Sequence, residues 1–462
     1  MRRISLPLLL TGLFASTTAL AGACGEPRRD QPLVVLLLVD TLRRDSLSCY
    51  GSARPTPAID ALAAAGARFE QAIASSGWTL PSAASLLTGV APPVHQARGK
   101  KARLTPISPD VRTGAELLAA AGVRTLAFTN AAFVNPLLEL TRGFESVSHH
   151  HAYNHEIRRA DETIDAALAQ LAEDDGRPTF CLIHLFDPHL DYDAPREFAQ
   201  LYAEGASPRP ALQWKDCSQA LPGQRETVTP EHAARVRAAY DAEIAFVDAQ
   251  IGRLVAELGR RGDLARTTIV LTADHGEEFW DHGAFEHGHT LYDELVRVPL
   301  VVRTPAATPG QVLEVPVRTL DLMPTLCELF GVPPSAQFEG RSLLPVLRGS
   351  DREPRPIVMD STLYGHDKVA LRTERYKLIL DRNPEAELEL ELYDWMADPL
   401  ERQELSASLP ELAERLRTEL EARLAAYAHQ AKDLRPGELL DLAPAKQEEI
   451  LKQLDALGYG GD

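Results

Sequence analysis

Two carboxylates occupy matching places in this chain. Asp40 directly follows the apolar run LVVLLLV (Leu33–Val39), and Asp274-His275-Gly276 directly follows TTIVLTA. Either aspartate alone reads as a turn or helix cap. Two strand ends that bring two carboxylates and an imidazole to one rim are instead what a divalent cation requires. The third participant lies in SSGWTLPSAASLLTG (Ser75–Gly89), where Thr79 precedes Pro81 and an apolar helical stretch ended by Gly89. A hydroxyl there sits at a helix N-terminus, where backbone N–H groups and the dipole favour an anion. Thr79 could equally be the N-cap, and the two roles are compatible. Two Asp, a Thr and one His suit a borderline ion better than a pure oxygen cage, so zinc, manganese, magnesium and calcium all stay open. One ion is expected. A second could use His282, His287 and His289, although loop histidines are the plainer reading of those three.

These groups need a scaffold of strand ends. Apolar runs recur at Leu33–Val39, Thr125–Thr129, Thr179–Phe186, Thr268–Thr272 and Val298–Val302, the texture of strands covered on both faces. Helical patterns lie between them. Thr56-Pro57 is read as a cap and first turn closed by Gly66, and Thr113-Gly114-Ala115-Glu116 as a capping box whose helix stops at Gly122. The alternation predicts an α/β fold with a doubly wound, largely parallel sheet and its ligand outside the carboxyl ends of the strands. Ser207–Pro230 reads as a surface excursion. Beyond Gly331 the texture changes: Tyr376–Leu380 and Glu389–Tyr393 look like short antiparallel strands, and Leu409–Ala428 and Ala445–Leu457 like helices. A catalytic domain over 32–335 and a smaller α+β subdomain over 336–462 follow from this.

The 462 residues are 45% hydrophobic and 25% charged, which excludes a disordered chain, and a net charge of −18 excludes a general nucleic-acid binder. Arg2-Arg3, an apolar stretch to Leu20 and small residues to Ala23 read as a secretory signal peptide over 1–23. Cys24 after Ala21-Gly22-Ala23 resembles a bacterial lipoprotein site, so the mature chain is expected to be periplasmic or tethered to a membrane through lipidated Cys24. The other cysteines, Cys49, Cys181, Cys217 and Cys327, form no CxxC pair, which argues against a thiolate zinc site.

Several ordered stretches together resemble the sulfatase family of the alkaline phosphatase superfamily. VVLLLVDTLRRDSLSCYG is similar to its opening strand and metal loop, and WTLPSAASLLTG to its nucleophile signature. FDPHLDY, TADHGEEFWDHG, RVPLVVR and LYDWMADPLERQEL resemble later motifs, so the likeness runs from Pro32 nearly to the end. It implies an alkaline-phosphatase-like sandwich with flanking helices. It also implies Asp40, Asp274, His275 and Thr79 as metal ligands, Thr79 as nucleophile, and His189 and His289 as substrate-binding and catalytic histidines, His289 standing in the place of a Lys. Asn130, after the strand TLAFT, is a further substrate-binding candidate beside its plainer reading as a turn residue. His149–His151 with His155, and the basic stretch His95–Arg103, read as exposed loops.

Three residues depart from the family pattern: Thr41 replaces a second metal-binding Asp, Ala83 replaces an Arg, and Thr79 stands where Cys or Ser is usual. Thr cannot become formylglycine, whose second hydroxyl expels sulfate. A phosphorylated Thr can be released by attack at phosphorus. The resemblance with these departures implies an exported, metal-dependent hydrolase of small anionic phosphoric esters, diester or monoester. The alternatives are a sulfuric ester hydrolase, a phosphoglycerol-type transferase and a non-catalytic binding lipoprotein.

Overall fold

The computed structural model describes residues 31–100, 103–130, 133–150, 158–202, 212, 228–305, 307–383 and 389–438. The leader with Cys24, most of 207–230, Cys217, His151, His155 and the helix expected over Ala445–Leu457 lie outside them.

A nine-stranded sheet forms the centre. Its spatial order is Gln311–Leu313, Ala67–Ile73, Arg297–Arg303, Thr267–Ala273, Leu33–Val39, Thr179–Leu185, Arg124–Asn130 and Ser146–His150, with Val317–Arg318 also on Ala67–Ile73. Every pairing is parallel except the two made by Arg297–Arg303. The three central strands are buried along their whole length, which is why their sequences are apolar runs rather than alternations. The α/β, largely parallel reading holds, with helices flanking the sheet.

Register places the chemistry. Val39 pairs with Leu185 on one side and Ala273 on the other, so Asp40 and Asp274 leave the sheet at the same level. Leu38 pairs with His184, one residue back from the rim.

Helix Pro57–Ala65 starts with Pro57 as expected, but Thr56 does not cap it. Asp248, from the long helix Pro230–Arg260, accepts Ala58 N–H at 3.1 Å and Ile59 N–H at 2.8 Å instead. The capping box at Thr113 is present, with Glu116 N–H donating to Thr113 Oγ1 and Thr113 N–H to Glu116 Oε2. Four strands of the central sheet escaped the sequence reading: the short Gln311–Leu313 and Val317–Arg318, and two longer ones. Ala67–Ile73 (ARFEQAI) and Ser146–His150 (SVSHH) carry polar side chains on half-buried faces.

A separate four-stranded antiparallel sheet, Ile357–Asp360, Lys368–Arg372, Tyr376–Asp381 and Leu390–Asp394, precedes helix Pro410–Ala431. It is stitched to the rim of the main sheet. Asp360 N–H donates to Ser75 O at 3.0 Å, and Ser76 Oγ to Ser361 O at 2.9 Å. Leu363 and Tyr364 N–H both donate to Gly288 O, at 2.6 and 2.9 Å.

Candidate active site

Thr79 is the first residue of helix Thr79–Thr88, and Trp78, in extended backbone, is the N-cap. The N-cap reading of Thr79 therefore fails. Its hydroxyl is directed elsewhere, 3.1 Å from His275 Nε2. Gly89 ends the helix in the left-handed region at φ +70. Two bonds fix the helix start. Ser82 Oγ donates to Asp274 O at 2.6 Å, and buried His95 places Nε2 3.1 Å from Pro81 O.

Asp40, Asp274 and His275 present ligand atoms that all lie within 4.8 Å of one another, the one such group among the described residues. His275 Nδ1 donates to Gly276 O at 2.8 Å, so Nε2 carries the lone pair. That lone pair faces Asp40 Oδ1 at 3.6 Å and Asp274 Oδ2 at 3.4 Å. Both oxygens are buried and lack a hydrogen-bond partner. Three electron-rich atoms facing one another in a buried site form a group that could hold a cation between them. The donor set fits a divalent ion.

The electrostatics agree. Burial, reinforced by the charge of Asp40, pushes the Asp274 carboxyl up to about 6. Burial also acts on Asp40, but the neighbouring His184, His189 and His275 outweigh it and hold its carboxyl below the usual range. Gly276 allows the turn, since a Cβ there would lie 2.0 Å from Glu294 O.

Three imidazoles stand around this centre. His189 is buried, donates Nδ1–H to Leu190 O at 2.6 Å and stacks on Phe186. Burial lowers its pKa, against the pull of Asp40. His287 has its ring centroid 4.4 Å from His275 and 5.2 Å from His189, with Nδ1 2.8 Å from Glu277 Oε1. Burial, with His275 and His189 beside it, holds its pKa well below the ordinary value. His184 is the third, with Nε2 3.3 Å from Asp40 Oδ2.

The remaining candidates are engaged by other partners. His289 bonds Glu278 Oε2 at 2.7 Å, so His287, two residues earlier, is the histidine that meets His275. His282 bonds Glu294 at 2.6 Å and stacks on Tyr292, away from this ring cluster. Asn130 is buried and its amide is engaged: Nδ2 donates to His184 O at 2.7 Å, and Oδ1 accepts from Arg158 Nε at 3.1 Å. His149 bonds Thr129 Oγ1 at 2.8 Å.

Sequence reasoning passed over His184 and Glu277. The signal for His184 was an imidazole inside TFCLIHLF, a run otherwise suited to a covered strand.

A parallel sheet with a carboxylate, imidazole and hydroxyl cluster at its carboxyl edge defines the alkaline-phosphatase-like class of folds. A family model described as Sulfatase matches residues 32–332, and one described as N-sulphoglucosamine sulphohydrolase, C-terminal, matches 280–430. The chain belongs to the sulfatase family. It is 30% identical over 251 residues to a choline-sulfatase of Rhizobium meliloti (strain 1021), 51% of this chain and 48% of that protein. The chain thus spans about half the length of that relative. To a Delta 4,5-hexuronate-2-O-sulfatase of Bacteroides thetaiotaomicron it is 26% identical over 432 residues, 84% of this chain and 87% of the relative. The fold is similar to that of a phosphonate monoester hydrolase from Silicibacter pomeroyi, with a TM-score of 0.70, 22% identity, and coverage of 89% of this chain and 100% of that one.

Proposed function

We propose that this protein is a metal-dependent hydrolase of small phosphate or phosphonate esters that uses Thr79 as its nucleophile. The observation that carries the reading is Thr79 itself: one secondary hydroxyl, buried at a helix start, 3.1 Å from His275 Nε2 and beside two orphaned carboxylate oxygens. Asp40, Asp274, His275 and Thr79 would hold the ion, which when bound supplies Lewis-acid activation and neutralises charge on the ester.

The chain's own residues do the rest. Thr79 Oγ1 attacks phosphorus in line, and the N–H groups of the first turn face the non-bridging oxygens. His189, kept neutral by burial and oriented through Nδ1, takes the hydroxyl proton at Nε2 and returns it to the Thr79 oxygen when the alcohol is restored, while the leaving oxygen, on the far side of phosphorus, takes its proton from water. His287, braced by Glu277, stands beside His189 and His275. Water then attacks phosphothreonine and restores the alcohol. His289 is held by Glu278, and Asn130 by His184 and Arg158.

A second reading, sulfate-ester hydrolysis, draws on the names of the choline-sulfatase and the hexuronate-2-O-sulfatase. It needs a route by which a sulfated threonine is cleared, and one hydroxyl supplies none. The signal-like leader supports export, with Cys24 as the lipid attachment point.

The test compares metal-loaded protein and Thr79→Ala on aryl phosphodiesters, phosphonate monoesters, phosphomonoesters and aryl sulfates. Phosphoester or phosphonate turnover that depends on Thr79, with phosphothreonine at residue 79 in acid-quenched samples, is the expected result. Faster sulfate turnover would replace this reading with the second.

A further inference from the structure

Asp40 has two unlike oxygens. Oδ1 is orphaned and faces the His275 lone pair, whereas Oδ2 faces His184 Nε2 at 3.3 Å. His184 is buried on the strand beside Asp40, level with Leu38. Its other nitrogen, Nδ1, accepts the Asn130 backbone N–H at 3.4 Å. That acceptance leaves the ring proton on Nε2. A nitrogen that carries a proton has no lone pair for a cation; buried Nε2 makes no bond of full hydrogen-bond geometry, and the acceptor it faces is Asp40 Oδ2 at 3.3 Å.

We infer that His184 is a positioning residue: it donates Nε2–H to Asp40 Oδ2 and turns Oδ1 toward the metal. The assignment rests on the metal-dependent reading above and extends it to a residue outside the ligand set.

The tautomer is itself supported from behind. Asn130 Nδ2 donates to His184 O, and Asn130 Oδ1 accepts from Arg158 Nε. Arg158 in turn reaches Ser148 Oγ at 2.8 Å and Ser148 O at 3.0 Å on the edge strand. The line runs from the sheet edge through Arg158, Asn130 and His184 to Asp40. Such a support matters here because Thr41, the neighbour of Asp40, brings a hydroxyl and no second carboxylate. A ligand held from outside by a donor typically loses about 10–100-fold in metal affinity when the donor is removed.

The experiment measures Mn(II) and Zn(II) affinity by chelator competition in the purified protein, His184→Ala and His184→Gln, with Co(II) absorption spectra alongside. Glutamine offers an amide N–H near the place of Nε2–H. The expected result is a roughly 10–100-fold weaker affinity in His184→Ala, recovery of most of it in His184→Gln, and d–d bands of unchanged coordination number in both. Wild-type affinity in His184→Ala overturns the assignment. Bands that report a lost ligand overturn it too, because His184 would then bind the ion directly. Should His184→Ala fail to fold, the glutamine variant decides alone: an affinity as weak as that of Asp40→Asn overturns the proposal. A wild-type protein that binds no ion overturns this assignment and the metal-dependent reading together, whereas wild-type affinity in His184→Ala overturns this assignment alone.

Discussion

Thr79 Oγ1 and His275 Nε2, 196 residues apart in the chain, lie 3.1 Å from each other in the fold. The contact joins the start of a helix to the end of a central strand, and Ser82 repeats the link through its bond to Asp274 O. Alcohol and imidazole are thus fixed by separate elements that meet at the same edge, so the Thr79 oxygen is placed before any ester arrives.

Thr79 substitutions follow from that placement. Thr79→Ser keeps the hydroxyl and loses a methyl group, so kcat/KM on the best ester should fall by no more than about tenfold. Thr79→Ala should lose about 10³-fold or more, because it removes the hydroxyl proposed to attack. Steady-state assays of both variants, with metal content measured in parallel, check the pair.

Metal affinity should depend on pH through Asp274. Burial and the charge of Asp40 raise its carboxyl to about 6. An ion competes with that proton, so affinity should be level above pH 6 and fall roughly tenfold per unit below it. Chelator-competition titrations from pH 5 to 8 would show the break. Affinity unchanged down to pH 5 contradicts it.

The metal-free protein should show the opposite face of the same group. A carboxyl raised in the folded state binds its proton more tightly than in the unfolded chain, so stability falls as pH rises from near 4 through about 6. Asp274→Asn removes this charge. At pH 7.5 and without metal, the variant should be more stable than wild type by roughly 1–3 kcal/mol in urea melts, and added metal should no longer stabilise it.

Legibility followed local chemistry. Leu33–Val39 and Thr267–Ala273 announced themselves because a strand covered on both faces admits little but apolar residues. The aspartates stood out by following them at once. Ala67–Ile73 did not, since Arg68 and Glu70 belong to a half-buried strand whose charges pair with each other and with Arg44. Thr56 had the residue type of a cap, yet Asp248 took its place from a helix nearly two hundred residues away, a tertiary choice no local window contains. The choice between His287 and His289 was of the same kind. Two histidines separated by Gly288 are equivalent on paper, and the Glu277 and Glu278 side chains sort them, one to each.

Lys377 makes a stability prediction far from the chemistry. Fully buried, it donates to Asp293 Oδ1 and Glu401 Oε2, both at 3.0 Å, tying the antiparallel sheet to the main body. Lys377→Met strands the Glu401 carboxylate inside the protein and should cost about 3–5 kcal/mol. Equilibrium urea unfolding followed by tryptophan fluorescence measures this, and a loss under 1 kcal/mol contradicts it.

The four backbone and hydroxyl bonds between Ser75, Ser76 and Gly288 and the segment Asp360–Tyr364 bear on how the gene can be cut. The stretch leading to Thr79 and the turn carrying His287 are each clasped by polypeptide made later in translation. A product terminated before Asp360 would own Asp40, Thr79, Asp274 and His275 yet lack the clasp on the stretches around Thr79 and His287. Chimeras that exchange the last hundred residues should therefore alter turnover itself as well as the choice of ester.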